Sequence, residues 1–247
     1  MVKGLHVKIS VVVPAFNEEK LLAGTLGSIR AAAAAFTRIG WETELVVCDN
    51  NSTDRTAELA REGGARVVFE PVNQIGRARN TGAAAATGDW LIFVDADSQP
   101  SAELFADVAA AIQNGRVLAG GSTVRLEGSY PIASLITEGW NLLSRVMRWA
   151  AGSFIFCEAA AFREVGGFSH ELYASEEIDL SKRLKRLARQ RAKRIVILHR
   201  HPLATSARKM HLYTAGEHLR FLLKTVWQRG RPLRKREECL TWYDGRR

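Results

Sequence analysis

Cysteine is scarce in this sequence of 247 residues, and long apolar runs are missing from it. The three cysteines, Cys48, Cys157 and Cys239, are too few and too widely spaced for a disulfide framework or a zinc cluster. No stretch reaches the roughly 18 consecutive apolar residues that a membrane span requires. The apolar run at residues 9–13 leads into Pro14 without the small-residue cleavage site of a signal peptide. We therefore expect a cytoplasmic globular chain with reduced thiols.

Positive charge is concentrated at one end of the chain. Residues 1–180 carry 15 Lys and Arg against 22 Asp and Glu, whereas residues 181–247 carry 20 against 4. Such a density suits an anionic partner, which can be nucleic acid, an acidic lipid surface or the phosphate groups of a ligand. The sequence lacks aromatic RNA-binding motifs and a helix-turn-helix signature, which argues against nucleic acid. A non-enzymatic anion or nucleic-acid binder that uses this end remains an alternative.

Strands and helices alternate along the first half of the chain. Apolar and β-branched runs predict strands at residues 7–13, 44–48, 65–69 and 90–94, and helical spacing predicts helices between them. This alternation indicates an α/β/α sandwich with a mostly parallel central sheet.

The second half is less regular and is expected to complete the same domain. We predict an amphipathic helix at 135–150, a basic helix at 175–188, a short strand at 194–198 and a last helix at 215–226. Three aromatic side chains either line an acceptor cleft or pack in the core: Trp140, Trp149 and Phe154. The predicted domain covers residues 1–215, with a first half at about 1–115 and a second at about 116–215. We expect residues 216–247 to form a basic C-terminal helix and tail.

Polar clusters follow three of the predicted strands, at residues 14–18, 49–54 and 95–97. Ligands of parallel α/β sheets bind outside the carboxyl ends of the strands. Asp95 and Asp97 stand two residues apart in a loop that we expect to face solvent, and together they can hold Mg²⁺ or Mn²⁺. The alternative is that Asp97 only caps the helix that follows at 101–112.

Basic and acidic side chains elsewhere fit the same kind of ligand. Arg77 and Arg79 stand near a helix start, where they either bind a diphosphate or lie on a solvated face. Among Glu176, Glu177 and Asp179, one carboxylate can act as a general base, or all three can favour the N-terminal turn of the basic helix. His199 and His201 are structural or complete a metal site.

Together these motifs resemble family 2 glycosyltransferases of the GT-A fold. The resemblance is carried, in order over about residues 7–190, by PAFNEE, CDNNSTD, GRARNTGAAAATGDWLIFVDADS, GGF and SEEIDLSKRL. It implies a GT-A type nucleotide-binding sandwich, with a nucleotide-binding half at about 1–115 and an acceptor half at about 116–215. It also implies a nucleotide-diphosphate-sugar donor, a divalent metal (Mn²⁺ or Mg²⁺) and transfer with inversion.

The resemblance also implies roles for individual residues. Glu177 would be the catalytic base with Asp179 as its support, and Asp95 and Asp97 the metal pair, with Asp97 the more direct ligand. Gln99 is a weaker candidate at the metal. The implied nucleotide-sugar-binding residues are Pro14, Phe16, Glu18, Asp49, Arg79, Asp95 and Ala96. Asn50 and Glu177 depart from the family pattern, which has Asp at both positions.

A nucleotidyltransferase is the competing enzyme class, because it also combines an α/β sheet, a nucleotide and Mg²⁺. Such enzymes carry a Gly-rich basic loop after the first strand, where this chain has PAFNEE. The sugar, the nucleotide base and the acceptor are not specified by these motifs. The basic end would suit peripheral contact with an anionic membrane that presents a lipid-linked acceptor.

Overall fold

The computed structural model describes residues 6–128, 131–206, 231–234 and 239. The predicted helix at 215–226 and most of the basic tail lie outside these residues. The domain boundary at 215/216 therefore remains a prediction.

Eight strands form one sheet within the described residues, in the order β3-β2-β1-β4-β7-β6-β8-β5. Strand β7 is antiparallel to both β4 and β6, and β5 is antiparallel to β8, while the other pairings are parallel. The prediction of a mostly parallel sheet is confirmed. The strands are β1 Lys8–Ala15, β2 Glu42–Asp49, β3 Arg66–Phe69, β4 Trp90–Val94, β5 Ser98–Gln99, β6 Val117–Glu127, β7 Phe154–Glu158 and β8 Arg194–Ser206.

Helices cover the sheet and connect its strands. They are α1 Leu22–Thr37, α2 Thr56–Glu62, α3 Ile75–Ala85, α4 Ala102–Gln113, α5 Pro131–Met147, α6 Ala159–Glu164 and α7 Glu176–Gln190, with a 3₁₀ turn at Arg231–Arg234. None of the helices among the described residues is long and apolar enough to cross a membrane.

The central strands are continuous apolar runs because both of their faces are covered. Successive side chains point to opposite faces, so Val11 packs in the core beneath α1 and α4 with Phe36 and Phe105. Val12 and Phe93 pack in the second core, beneath α3, α6 and α7. This double coverage explains why apolar runs marked the strands of the first half of the sequence.

Strand β8 is longer than the sequence predicts. We expected a strand only at residues 194–198, but pairing with β6 continues to Ser206. A register shift opposite Ser122 and Val124 accommodates the residues around Pro202, which cannot donate a ladder hydrogen bond. The extension brings the end of β8 to the loop after β4.

Helix α5 turns its apolar side away from the protein. Leu135, Leu142 and Val146, which the sequence places on one side of an amphipathic helix, are exposed. Phe154, the first residue of β7, is fully buried in the core, whereas Trp140 and Trp149 are only partly buried. Core packing is therefore confirmed for Phe154 alone among the three aromatic candidates.

Candidate active site

The polar loops after β1, β2 and β4 meet at one edge of the sheet. The strands are in register there, with Ala15 opposite Asp49. Strand β7 starts at the same edge, where the Asp95 N–H donates to the Ser153 carbonyl at 3.2 Å. The candidate site is built on this edge.

Backbone hydrogen bonds fix the turn from Asp95 to Asp97 from three directions. Ser98 N–H donates to the Asp95 carbonyl at 3.1 Å, and the Ser206 N–H at the end of β8 donates to the Asp97 carbonyl at 3.1 Å. The Thr25 hydroxyl of α1 donates to the Ala96 carbonyl at 2.8 Å. Enclosed by α1 and β8, Asp97 is only 7% exposed, so the expectation of a solvent-facing loop is wrong.

Helix α4 is capped by another residue than Asp97. The Ser101 hydroxyl accepts from the Leu104 N–H at 3.2 Å, and the helix begins at Ala102. Because this serine performs the capping role, the alternative reading of Asp97 as only a helix cap is wrong.

Arg79 is the centre of a buried ion-pair cluster. It is 1% exposed; its Nη1 donates to Glu176 Oε1 at 2.7 Å, and its Nη2 donates to Asp95 Oδ1 at 2.9 Å. The same Nη2 donates to the Gly152 carbonyl at 2.8 Å, and the guanidinium lies 5.1 Å from the centre of the Phe168 ring. These contacts hold Asp95, the start of α7 and the start of β7 together, whereas the resemblance implies a contact between Arg79 and the diphosphate.

Glu177 lies beside this cluster. A Cβ on Gly152 would stand 3.3 Å from Arg79 Nη2 and 3.6 Å from the carboxyl carbon of Glu177, so both side chains pack against that glycine. The pKa of Glu177 is raised to about 8, because burial removes the carboxylate from water and the charge of Glu176 adds to the effect. The Arg79 guanidinium opposes this rise. The result is a carboxylate whose pKa lies close to neutral pH.

Asp179 has a different partner from its neighbours. Its Oδ2 accepts from the Nε of Arg183, one turn along α7, at 2.8 Å and lies 2.7 Å from Nη2 in an ion pair. Arg183 also donates to the Val165 carbonyl. The three carboxylates of α7 thus divide: Glu176 binds Arg79, Glu177 lies beside it, and Asp179 binds Arg183. A supporting role of Asp179 for Glu177 remains a prediction.

Hydrogen bonds between side chains and backbone N–H groups join the loops after β1 and β2. Asn17, with φ of 52°, accepts from the Thr53 N–H at 2.8 Å, and its own N–H donates to the Ser52 hydroxyl at 3.0 Å. The Glu18 N–H donates to the Thr56 hydroxyl at 2.8 Å. These bonds fix the loop that carries Pro14, Phe16 and Glu18, of which Phe16 is partly buried and the other two are buried.

The side chains of Asp49 and Asn50, after β2, make different hydrogen bonds. Asp49 Oδ1 accepts from the Ser52 N–H, three residues on, at 3.1 Å. The Asn50 amide donates to the Glu70 and Val72 carbonyls at 3.1 and 2.6 Å, and its oxygen accepts from the Gln74 N–H at 3.0 Å. Asn50, which departs from the family pattern, therefore clamps the loop between β3 and α3.

Two amides that the sequence analysis did not single out position the loop before α7. Asn80 exchanges hydrogen bonds with the Phe168 backbone at 2.9 Å in both directions. Gln74 donates to the His170 and Leu172 carbonyls at 2.9 Å each. Gly167 has φ of +66°, and a Cβ there would come within 2.6 Å of Asn80 Oδ1. Asn80 belongs to the GRARNTG motif, so its place in that motif could have marked it as a candidate.

The histidines of β8 lie away from the aspartate pair. His201 Nδ1 is 3.0 Å from Asp107 Oδ2 of α4. His201 precedes Ser206, the residue bound to Asp97, by five positions, roughly 16 Å along a strand. His199 and Asp107 line a separate surface cavity of about 290 Å³. The structure thus gives His201 a carboxylate partner on α4, and His199 lies beside that partner.

Asp95 and Asp97 fit a hard divalent cation by their chemistry. Both supply carboxylate oxygens, the ligands that Mg²⁺ and Mn²⁺ prefer. In the part of the chain that the structure describes, no group of three or more His, Cys, Asp and Glu side chains converges as a metal site. Hard cations held by one or two carboxylates commonly bind water and phosphate oxygens as well.

The sheet topology and this edge define the protein as an α/β fold of the GT-A glycosyltransferase type. Residues 10–165 match the family described as Glycosyl transferase family 2, and the chain belongs to this family. The resemblance noted from the motifs is confirmed.

Curated relatives are about one third identical to the chain over the aligned residues. An uncharacterized glycosyltransferase of Mycobacterium tuberculosis is 36% identical over 141 residues, which are 56% of this chain and 60% of the relative. The dolichol-phosphate mannosyltransferase of Pyrococcus furiosus is 31% identical over 151 residues, 56% of this chain and 41% of that enzyme. The chain thus matches at most about three fifths of these two relatives.

A solved structure shows the same fold. The mannosyltransferase of Pyrobaculum calidifontis, determined with GDP-Man and Mn²⁺, superposes with a TM-score of 0.63 at 20% identity. The superposition covers 81% of this chain and 56% of the other.

Proposed function

We propose that this chain is an inverting glycosyltransferase that moves a sugar from a nucleotide-diphosphate-sugar to an acceptor hydroxyl, with a divalent cation at Asp95 and Asp97. The observation that carries the proposal is the juxtaposition of Glu177 with the Arg79–Asp95 ion pair at the carboxyl edge of the sheet. It joins a candidate base to a candidate metal ligand in a chain of the family.

Glu177 is proposed as the general base. The acceptor hydroxyl loses its proton to the Glu177 carboxylate as its oxygen forms a bond to the anomeric carbon. The bond between that carbon and the diphosphate oxygen breaks on the opposite face, and the nucleoside diphosphate leaves with the bonding electrons. A bound divalent cation would stabilise the negative charge of this leaving group. A pKa of about 8 suits a base that works near neutral pH.

Arg79 is proposed as a positioning residue, because its guanidinium is buried and already engaged by Asp95 and Glu176. It holds the carboxylate that would face the cation at a fixed distance from the start of α7. Direct contact with the diphosphate would require part of this cluster to open.

The nucleoside is proposed to lie between the loops after β1 and β2. Pro14, Phe16 and Glu18 would line one side, and Asp49 would meet the base or the ribose from the other. The hydrogen bonds between these two loops support this assignment, since they hold the two loops at a fixed separation. Ala96, buried beside Thr25, would back the diphosphate end.

The acceptor is proposed to be presented at an anionic membrane to which the chain binds peripherally. Residues 181–247 carry 20 basic against 4 acidic residues, and a diphosphate needs only two or three of these cations. Each Lys or Arg near an anionic bilayer contributes about 1 kcal/mol at low salt. The Pyrococcus furiosus relative is named a dolichol-phosphate mannosyltransferase, which agrees with a lipid acceptor.

A donor panel tests the proposed activity without knowledge of the acceptor. UDP-, GDP- and TDP-sugars are incubated with the protein and Mn²⁺, Mg²⁺ or EDTA, and released nucleoside diphosphate is measured. Hydrolysis of one donor class with metal, and thermal stabilisation by the same donor only with metal, are expected. Stabilisation by an oligonucleotide alone would favour a nucleic-acid binder instead.

A further inference from the structure

Helix α5 presents a stripe of large apolar side chains to solvent. Their exposed fractions are 75% for Leu135, 58% for Ile136, 63% for Leu142, 43% for Leu143 and 69% for Val146. At about 100° per residue these five positions, with Gly139, span an arc of roughly 120° on the helix. We call this surface, formed by Leu135, Ile136, Gly139, Leu142, Leu143 and Val146, the α5 stripe.

The opposite side of α5 is attached to the protein by polar bonds. Asn141 is buried, and its amide both accepts from the Val124 N–H at 3.0 Å and donates to the Val124 carbonyl at 2.9 Å. Ser144 is buried and donates to the Trp149 carbonyl at 2.5 Å. The usual arrangement of a surface helix is therefore inverted, since its polar side faces β6 and its apolar side faces outward. Large exposed apolar surfaces of this kind mark contact sites.

Cations lie at the C-terminal end of the stripe. Arg145 on α5 and Arg148, the residue after its end, are exposed. Lys182 of α7 stands with its Nζ 5.4 Å from the centre of the Trp149 ring. Lys185 Nζ donates to the Met147 carbonyl at 3.1 Å, and Arg186 is exposed beside it. An apolar stripe bordered by Lys, Arg and a half-buried Trp has the chemistry of a helix that lies in an anionic membrane interface. A second copy of the chain would bring the same positive charge to the contact.

The stripe also borders the candidate site. Trp149 is followed three residues later by Gly152, against which Arg79 and Glu177 pack. The Ala150 N–H donates to the Ser181 hydroxyl of α7 at 3.2 Å, which ties the end of α5 to the helix that carries Glu177. The C-terminal end of α5, at Met147, is thus five residues before the glycine against which the proposed base packs.

We propose that the α5 stripe inserts into the interface of an anionic bilayer, with Arg145, Arg148 and Lys182 at the lipid headgroups. One consequence of this inference rests on the proposed function: a membrane-held acceptor would reach Glu177 past Trp149, at the end of α5. The docking itself requires no transfer reaction. It assigns the apolar part of membrane binding to α5, in addition to the charge of the C-terminal region.

A single fluorescent label tests where the membrane contacts the chain. Leu142→Cys in the full chain is labelled with the environment-sensitive dye NBD, and Ile39→Cys, at an exposed apolar position between α1 and β2, is the matched control. The native cysteines are buried, and burial raises the pKa of Cys48 to about 12, so the new thiol reacts first. Vesicles of phosphatidylglycerol and phosphatidylcholine (1:1) are compared with vesicles of phosphatidylcholine alone.

We expect a blue shift and brighter emission at position 142 with the anionic vesicles only, and no change at position 39. An unchanged signal at 142 while the protein co-sediments with the vesicles would overturn the proposal, because the basic segment would then bind alone. A blue shift in buffer without vesicles would also overturn it. If that blue shift grows with protein concentration and light scattering detects a dimer, a second copy of the chain covers the stripe. If it does not depend on protein concentration, a segment of the same chain covers the stripe.

A triple substitution gives an independent measurement. Leu135→Gln, Leu142→Gln and Val146→Gln together should lower the partition coefficient to anionic vesicles at least tenfold. The unfolding temperature should not fall, because Asn141 and Ser144 hold the helix. The triple variant should hydrolyse the donor in solution, with metal, at the wild-type rate. If the wild-type protein itself hydrolyses no donor, that result counts against the proposed function and not against docking. Wild-type vesicle binding by the triple variant would contradict the proposal.

Discussion

Arg79 and Glu176 form a buried ion pair, with Nη1 and Oε1 at 2.7 Å, that joins two helices across 97 positions of the sequence. The same guanidinium binds Asp95 through Nη2 at 2.9 Å. Because both acidic partners belong to motifs of the proposed active site, the arginine sets the distance between the carboxyl end of β4 and the first turn of α7.

Arg79→Met should therefore destabilise the protein strongly. The change leaves Glu176 buried without its cation, and breaking a buried ion pair by removing one partner typically costs about 3–5 kcal/mol. Denaturant unfolding of the variant measures this loss. The exposed pair of Arg55 and Glu58 offers a control, since Arg55→Met should change the free energy of unfolding far less than Arg79→Met does. Equal effects of the two substitutions would contradict the role given to Arg79.

Asp97→Asn should abolish metal-dependent donor turnover and leave the fold intact. The change keeps the size of the side chain but removes the charge that would hold the cation. Asp107→Asn is the matched control: Asp107 of α4 contacts His201 of β8, away from the aspartate pair, so this variant should keep its activity. Wild-type turnover by Asp97→Asn with an unchanged Mn²⁺ requirement would refute the metal assignment.

The stability of the protein should depend on the charge of Glu177. Its folded pKa, about 8, lies above the ordinary value of 4.5, so its contribution to stability is present at low pH and lost as the pH rises through about 8. Glu177→Gln removes this loss. The unfolding temperature of the variant minus that of the wild type should rise between about pH 5 and pH 8 and level off above that. A pH-independent difference would show that the carboxylate titrates normally.

Salt-sensitive binding to anionic vesicles is expected from the basic end. Deletion of residues 229–247, or replacement of Arg234, Lys235 and Arg236 by glutamate, should weaken co-sedimentation at low salt. Lys235 and Arg236 lie outside the described residues, whereas Arg234 is 3.3 Å from Glu171 near the loop before α7. Wild-type protein that stays in the supernatant at low salt would remove the membrane proposal and favour a soluble acceptor.

The sequence predicts the nucleotide-binding half of the fold well, because its signals are local. An apolar run covered on both faces marks a strand, and the polar loop that follows each strand marks the ligand edge. Asp95 and Asp97 were assigned in this way.

Features that depend on distant partners could not be predicted. Arg79 reads as an exposed phosphate ligand until Glu176 is brought to it from 97 residues away. Periodicity placed Leu135, Leu142 and Val146 on one side of a helix, but it cannot say which side faces the sheet. That choice depends on the hydrogen bonds of Asn141 with β6. The length of β8 likewise depends on pairing with β6 rather than on its own residues.

The most direct test of the account is donor turnover by Glu177→Gln beside Glu177→Asp and Asp179→Asn. With the preferred donor and metal, Glu177→Gln should still bind the donor, as measured by thermal shift, but should lose transfer or hydrolysis by about 10²–10⁴-fold. Glu177→Asp should retain part of the rate, since aspartate is the family's usual residue there. Wild-type turnover by Glu177→Gln together with an inactive Asp179→Asn would contradict the central claim that Glu177 is the base.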